Sequence, residues 1–136
     1  MRSCRGGRAR GLAAALAWYG EEYSQRTGIR VFVDAPAAGQ ELRPETAVAL
    51  FRIAQEALNN AAKHSGAKTI RVLLEETHAG LVLSLYDDGC GFEPASAPRG
   101  RWGMTTMRER AQAAGGRLGV ESAPGKGTTV TVAVPF

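Results

Sequence analysis

Residues 44–64, PETAVALFRIAQEALNNAAKH, carry two patterns on one helix. Pro44 suits a first helical turn, and the run that follows predicts a long helix ending near His64. Val48, Phe51, Leu58 and Ala62, with Leu50, Ala54, Ala57 and Ala61, give it a wide apolar face for a core. Arg52, Glu56, Asn60 and Lys63 recur at steps of four, four and three, which draws a polar stripe along the same helix. A solvated face with an Arg52–Glu56 pair would read the same way. The stripe also suits chemistry, because an acid and an amide one turn apart can act together. The amide oxygen of Asn60 can ligate a hard cation, and the carboxylate of Glu56 can orient or deprotonate a nucleophile.

Working outward, the elements alternate in type. A helix over residues 10–27 is expected upstream, stopping at Gly28, with IRVFVD (29–34) as a strand and APAAGQELR as a loop. Downstream, residues 69–75 and 81–87 read as strands joined by a short turn. The Gly-, Pro- and Ser-rich segment 87–103 fits neither period. A helix over 104–114 ends at Gly115-Gly116, and strands near 117–122 and 128–134 close the chain around the turn APGKG. Three helices and about five strands predict an α+β sandwich in which one mixed sheet is covered by helices on one face. A dinucleotide-binding α/β fold is excluded, since no glycine-rich turn follows a first strand and opens a helix.

Charge narrows the partners. Of 17 lysines and arginines, Arg2, Arg5, Arg8 and Arg10 fall in the first ten residues, which hold no acid. The remaining 13 basic groups balance 13 acids, so the net charge of +4 belongs to the first ten residues, of which 1–9 are expected to be a disordered tail. A nucleic-acid footprint needs basic clusters on the fold itself, and none is present. Cys4 and Cys90 support neither a disulfide framework nor a metal knot, and His64 and His78 lack the company a zinc site needs. The apolar stretch GLAAALAWYG imitates a signal peptide. Leu12, Leu16, Tyr19 and Tyr23 instead trace one face of a helix, and Glu21-Glu22 interrupt the run. No stretch is long enough to span a bilayer.

Three further places could carry chemistry. Asp87 ends a strand and is followed by Asp88-Gly89-Cys90-Gly91-Phe92, where glycines let a flat ligand approach the backbone. A carboxylate there suits an exocyclic amine such as that of adenine, although Asp-Gly is also ordinary turn chemistry. Between Phe92 and Gly103, Arg99 and Arg101 could bring positive charge to a phosphate, and Gly103 precedes a helix N-terminus able to hold anionic oxygens. A flexible surface loop has the same composition. Gly125-Lys126-Gly127-Thr128 alone is an unremarkable hairpin turn.

The order of these pieces is more specific than any one of them. QEALNNAAKHS, DDGCGF, GRWGMTTMRERA and PGKGTTVTVAVP resemble, in sequence, the N, G1, G2 and G3 boxes of the GHKL ATPases. That superfamily includes gyrase, heat-shock chaperones, mismatch-repair and anti-sigma proteins, and histidine kinases. ALFRIAQEALNNAAKHSGA and MRERAQAAGG are most similar to the ATP-binding domains of the nitrate- and lipid-sensor histidine kinases (HisKA_3 type), over nearly all of residues 12–136. The resemblance implies the Bergerat fold, ATP and Mg2+ as cofactors, and a mobile lid. It makes Asn60 the magnesium ligand and Glu56 the general base, with Asn59, Lys63 and His64 near the phosphates. It makes Asp87 the adenine-binding aspartate, with Gly89, Gly91 and Phe92 in G1, Gly103 and Met104 in G2, and Gly125, Gly127 and Thr128 in G3. The lid departs from the family pattern: Arg101 stands where the first G2 glycine belongs, Gly100 is displaced by one, and Met104 replaces a leucine.

The family phosphorylates a histidine on a separate dimerising hairpin, and no histidine here resembles it. The resemblance therefore implies a cytoplasmic catalytic domain, monomeric alone, whose partners are that hairpin and, indirectly, a response regulator. No direct contact with nucleic acid or membrane is expected of it. The rival readings are a free-standing anti-sigma-factor serine kinase and a non-catalytic nucleotide-binding module.

Overall fold

The computed structural model describes residues 7–35, 42–91 and 104–135, with side chains throughout these except at 7–10, 64, 65 and 104. In chain order they form α1 (Gly7–Thr27), β1 (Arg30–Asp34), α2 (Pro44–Asn60), a π-helical turn (Ala61–Ser65), β2 (Thr69–Glu76), β3 (Gly80–Asp87), α3 (Met104–Ala113), β4 (Arg117–Ser122) and β5 (Thr128–Pro135). The strands join in one sheet in the order β1-β2-β3-β5-β4. β1 runs parallel to β2, and the other pairs are antiparallel, so the sheet is mixed as expected.

Side-chain alternation gives the sheet two unlike faces. Ile70, Val72 and Leu74 of β2 lie opposite Asp87, Leu85 and Leu83 of β3. Leu81, Leu83 and Leu85 in turn face Val134, Val132 and Val130 of β5. All of these apolar side chains are buried. Of the intervening residues, Arg71, Tyr86 and Glu121 are exposed on the other face, while Leu73 and Val82 are half-buried and Ser84 is buried. The three helices cover the apolar face, with α2 between α1 and α3. Leaving water stabilises each fully buried aliphatic side chain by about 1.5–3 kcal/mol, which is why register is firmly set on that side.

α1 presents Leu12, Leu16 and Tyr23 to the core, with Tyr19 half-buried and its ring edge-on to Phe51 at 5.7 Å. Gly20 completes that face, and a Cβ on it would meet Val31 and Val33 at 3.1 Å, so the small residue lets α1 sit close on β1. α1 begins at Gly7, so residues 7–9 are helical and do not belong to a tail. Residues 1–6 lie outside the described residues.

The core face of α2 is Thr46, Leu50, Ile53, Ala54 and Leu58, continued by Ala61. Two expected members, Val48 and Ala62, are exposed instead, Val48 by 56%. With α1 and α3 flanking it, α2 buries a stripe narrower than its apolar composition suggests, and Val48 lies around the helix from Leu50. The other difference is at its end. The α-helix stops at Asn60, and the expected continuation to His64 is a π turn closed by Gly66.

Candidate functional site

The sheet register gathers the predicted residues at one end of the molecule. Asp87 ends β3 on the helix-covered face, opposite Ile70 on one side and Thr128 on the other, and Thr128 faces Ser122 of β4. Along this last row the buried face turns from apolar to polar. α2 and its π turn lead into β2 at the same end, bringing Asn59, Asn60 and Lys63 there.

Burial of Asp87 penalises its charge and pushes its carboxyl above the ordinary carboxylate range. The backbone N–H groups of Gly89 and Thr128 oppose that shift, and the neighbouring charge of Asp88 adds to it. The Gly89 amide donates to Asp87 Oδ1 at 2.9 Å. The hydroxyl of Thr128 is engaged elsewhere, 2.8 Å from Ser122 Oγ, whose own proton goes to the Gly127 carbonyl at 3.0 Å. Thr128 thus supports Asp87 through its backbone.

Asp88 is the opposite of its neighbour. It is exposed, and its Oδ1 accepts the amides of Thr69 at 3.0 Å and Lys68 at 2.8 Å. Those bonds, led by Thr69, hold its carboxyl below the ordinary range. Asp88 therefore ties the end of β3 to the start of β2 and leaves Asp87 to face inward. The sequence singles out Asp87 as the strand-end carboxylate but gives no sign that Asp88 would bond the amides of Lys68 and Thr69.

The glycines after Asp87 have a packing reason. Gly91 and Gly127 sit at φ +68° and +75°, where other residues are strained. A Cβ on Gly91 would collide with the Ala123 carbonyl, and one on Gly127 with the carbonyl of Asp87. The Gly125 amide donates to the Cys90 carbonyl at 2.6 Å, so the loop after β3 and the β4–β5 hairpin are laced into one platform. Cys90 itself is exposed within it.

On α2, Glu56 and Asn60 are half-buried while Arg52 and Lys63 are exposed. Residues four apart on a helix place their Cβ atoms about 5–6 Å apart on one face, so Glu56 and Asn60 share a surface one turn long. Among the described residues no group of three or more His, Cys, Asp or Glu could hold a metal. One amide oxygen and one carboxylate fit only a hard cation that arrives with most of its ligands, such as Mg2+ carried by phosphates. His64 lies in the π turn and Met104 opens α3. Phe92, Arg99, Arg101 and Gly103 lie outside the described residues.

Residues 45–136 match the family described as histidine kinase-, DNA gyrase B-, and HSP90-like ATPase. The chain is 32% identical over 126 residues to the signal transduction histidine-protein kinase/phosphatase DegS of Brevibacillus brevis, covering 93% of this chain and 33% of that one. DegS of Bacillus subtilis is 36% identical over 119 residues, covering 85% and 31%. The chain thus spans about a third of the length of these relatives. Among solved structures, the blue-light activated histidine kinase of Erythrobacter litoralis EL346 superimposes with a TM-score of 0.78 at 24% identity, over 91% of this chain and 41% of that one. The ATP binding domain of PrrB from Mycobacterium tuberculosis gives 0.74 at 20% identity, over 90% and 92%. At such identities the likeness concerns the fold. Among the described residues, no helix is long and apolar enough to cross a membrane.

Proposed function

Because the chain belongs to the histidine kinase-, DNA gyrase B-, and HSP90-like ATPase family, we propose that it binds Mg-ATP between α2 and the Asp87 end of the sheet and donates the γ-phosphoryl group to a histidine on a separate dimerising helical domain. The observation that carries this reading is Asp87: a half-buried carboxylate, held by backbone amides at the end of an apolar row and beside a glycine platform. A carboxylate held where burial disfavours its charge gains from a ligand that donates to it, and the exocyclic amine of adenine is such a donor.

Along the groove, Asn60 offers its amide oxygen to the cation, and Lys63, with Asn59 and His64 beside it, supplies positive or polar groups to the phosphates. Mg-ATP, when bound, supplies the phosphoryl group and neutralises the charge that develops on it. Glu56, one turn before Asn60, orients the incoming imidazole and accepts its proton. The glycines of the loop and hairpin, Gly89, Gly91, Gly125 and Gly127, keep the backbone close enough for the base to lie flat. Phe92, Gly103 and Met104, at the boundaries of the lid segment, are assigned to the same nucleotide.

On this reading, α1 to the end of the chain is one catalytic unit, monomeric alone, that works in the cytoplasm where ATP is available. Its direct partner is the histidine-bearing domain of the same kinase, and a response regulator receives the phosphoryl group afterwards. The wording of the N-box helix and of MRERAQAAGG favours this over an anti-sigma serine kinase, and Glu56, Asn60 and Asp87 together argue against a non-catalytic module.

The test is incubation with γ-labelled Mg-ATP, with and without the histidine-bearing hairpin of the full-length kinase added in trans, followed by mass spectrometry. The hairpin should gain a phosphohistidine, weakly because the covalent link is missing, and this chain should gain none. Stoichiometric phosphohistidine at His64 or His78 of the chain by itself would overturn the proposal.

A further inference from the structure

Tyr23 of α1 is a fully buried phenol for which the proposed chemistry has no task. Its ring packs beside Tyr19, at 6.3 Å between centroids, and under the guanidinium of Arg26 at 5.7 Å. A buried tyrosine hydroxyl needs a hydrogen-bond partner, and Tyr23 finds an unusual one. It donates to the Leu58 carbonyl at 2.6 Å, an oxygen inside the last turn of α2.

In a regular α-helix that carbonyl is the acceptor for the Ala62 amide. A hydrogen bond from the Ala62 amide also works to lower the phenol's pKa. One side chain of α1 is thus bonded to the acceptor end of this rung of the α2 ladder. At this point the helix changes: Asn60 is the last α-helical residue, and Ala61–Ser65 form the π turn. A side chain set into the ladder is a recognised cause of such a change, and π turns gather at functional sites. A π turn is wider than an α turn, so the residues after the junction leave the helix in other directions. Those residues include Lys63, and Asn60 stands at the junction itself.

We propose that Tyr23 is a positioning residue for the phosphate end of the site: its hydroxyl pins the junction between α2 and the π turn and so sets the angles at which Asn60 and Lys63 meet the nucleotide. This rests on the Mg-ATP reading above. Burial pushes the Tyr23 hydroxyl up to about 12, so it remains a donor at any working pH.

Tyr23→Phe keeps the ring and removes the pin. Titration calorimetry with Mg-ATP and with AMP separates a positioning role from a structural one, because AMP uses the adenine end alone. Tyr23→Phe should weaken Mg-ATP on the order of tenfold, about 1.4 kcal/mol, and leave AMP within about twofold. Equal losses for both ligands, or none for either, would overturn the proposal. Amide exchange in the unmodified chain gives a second reading that needs no variant to fold. Ala62 should exchange as slowly as the core of α2, and rapid exchange there would remove the pin. An unmodified chain that bound neither ligand would refute the Mg-ATP reading instead, with Ala62 exchange still deciding whether the pin exists.

Discussion

At its Asp87 end the proposed nucleotide groove is made of sheet. The carboxylate is fixed by strand register, by the Gly89 amide and by a hairpin packed so closely that any side chain at Gly127 would meet the Asp87 carbonyl. At its Asn60 end the groove is made of helix, and of a helix that changes pitch where the polar stripe reaches the site. The first end is preorganised, and its cost is visible as a carboxyl pushed toward protonation. At the second, a hydroxyl of another helix bonds to the Leu58 carbonyl, and the polar groups nearby remain half-buried or exposed. The contrast suits a nucleotide whose base must be recognised once while its phosphates are repositioned for transfer.

The largest effect expected of this division is at the helical end. Glu56→Gln should slow phosphoryl transfer to the added hairpin by about 10²–10⁴-fold, the usual weight of a positioned base. Mg-ATP affinity should hardly change, because a base acts chiefly in the transition state. Comparable losses in rate and affinity would assign Glu56 to binding and blur the distinction between the two ends.

The smallest effect sharpens the comparison within the sheet end. Asp88→Asn removes a charged acceptor from the amides of Lys68 and Thr69 and reaches the helix-covered face only through the loss of its charge beside Asp87. Its folded carboxyl is held below its ordinary value of 3.8, so its contribution to stability is present above that value and is lost as pH falls through the lowered one. At neutral pH Asp88→Asn should lower the melting temperature slightly, because the group is exposed, and leave Mg-ATP affinity unchanged. A nucleotide defect in this variant would mean that the roles of the two aspartates had been exchanged.

Much of this was legible in the sequence, and for a physical reason. Strands such as TIRVLLEE and TTVTVAVP alternate apolar and polar residues because one face of the sheet is covered and the other is wet. The ends of α1 and α3 are marked by Gly28 and by Gly115-Gly116. The box residues could be named because their order along the chain is specific. What stayed hidden depended on neighbours far away in sequence. Val48 looked like core until α1 and α3 were in place beside α2. The role of Asp88 depends on amides twenty and nineteen residues earlier. Just before the π turn the Leu58 carbonyl is bonded by a phenol thirty-five residues earlier, although an apolar helix face carrying a tyrosine is itself a hint that a hydroxyl must find a partner.

Asp87 carries the account, and two properties of Asp87→Asn measured on one sample test it most directly. Its folded carboxyl is raised, so the fold favours the neutral form: the stabilising contribution is complete below the unfolded value of 3.8 and is lost as pH rises through the raised one. At neutral pH the charge therefore burdens the empty fold, and Asp87→Asn should melt at the same temperature or higher. The same substitution turns an acceptor-only, charged group into a neutral amide that both donates and accepts, so calorimetry should show Mg-ATP weakened by about 1–3 kcal/mol, roughly five- to 150-fold. A folded Asp87→Asn protein that bound Mg-ATP as tightly as the original would contradict the assignment of this end of the sheet to the base.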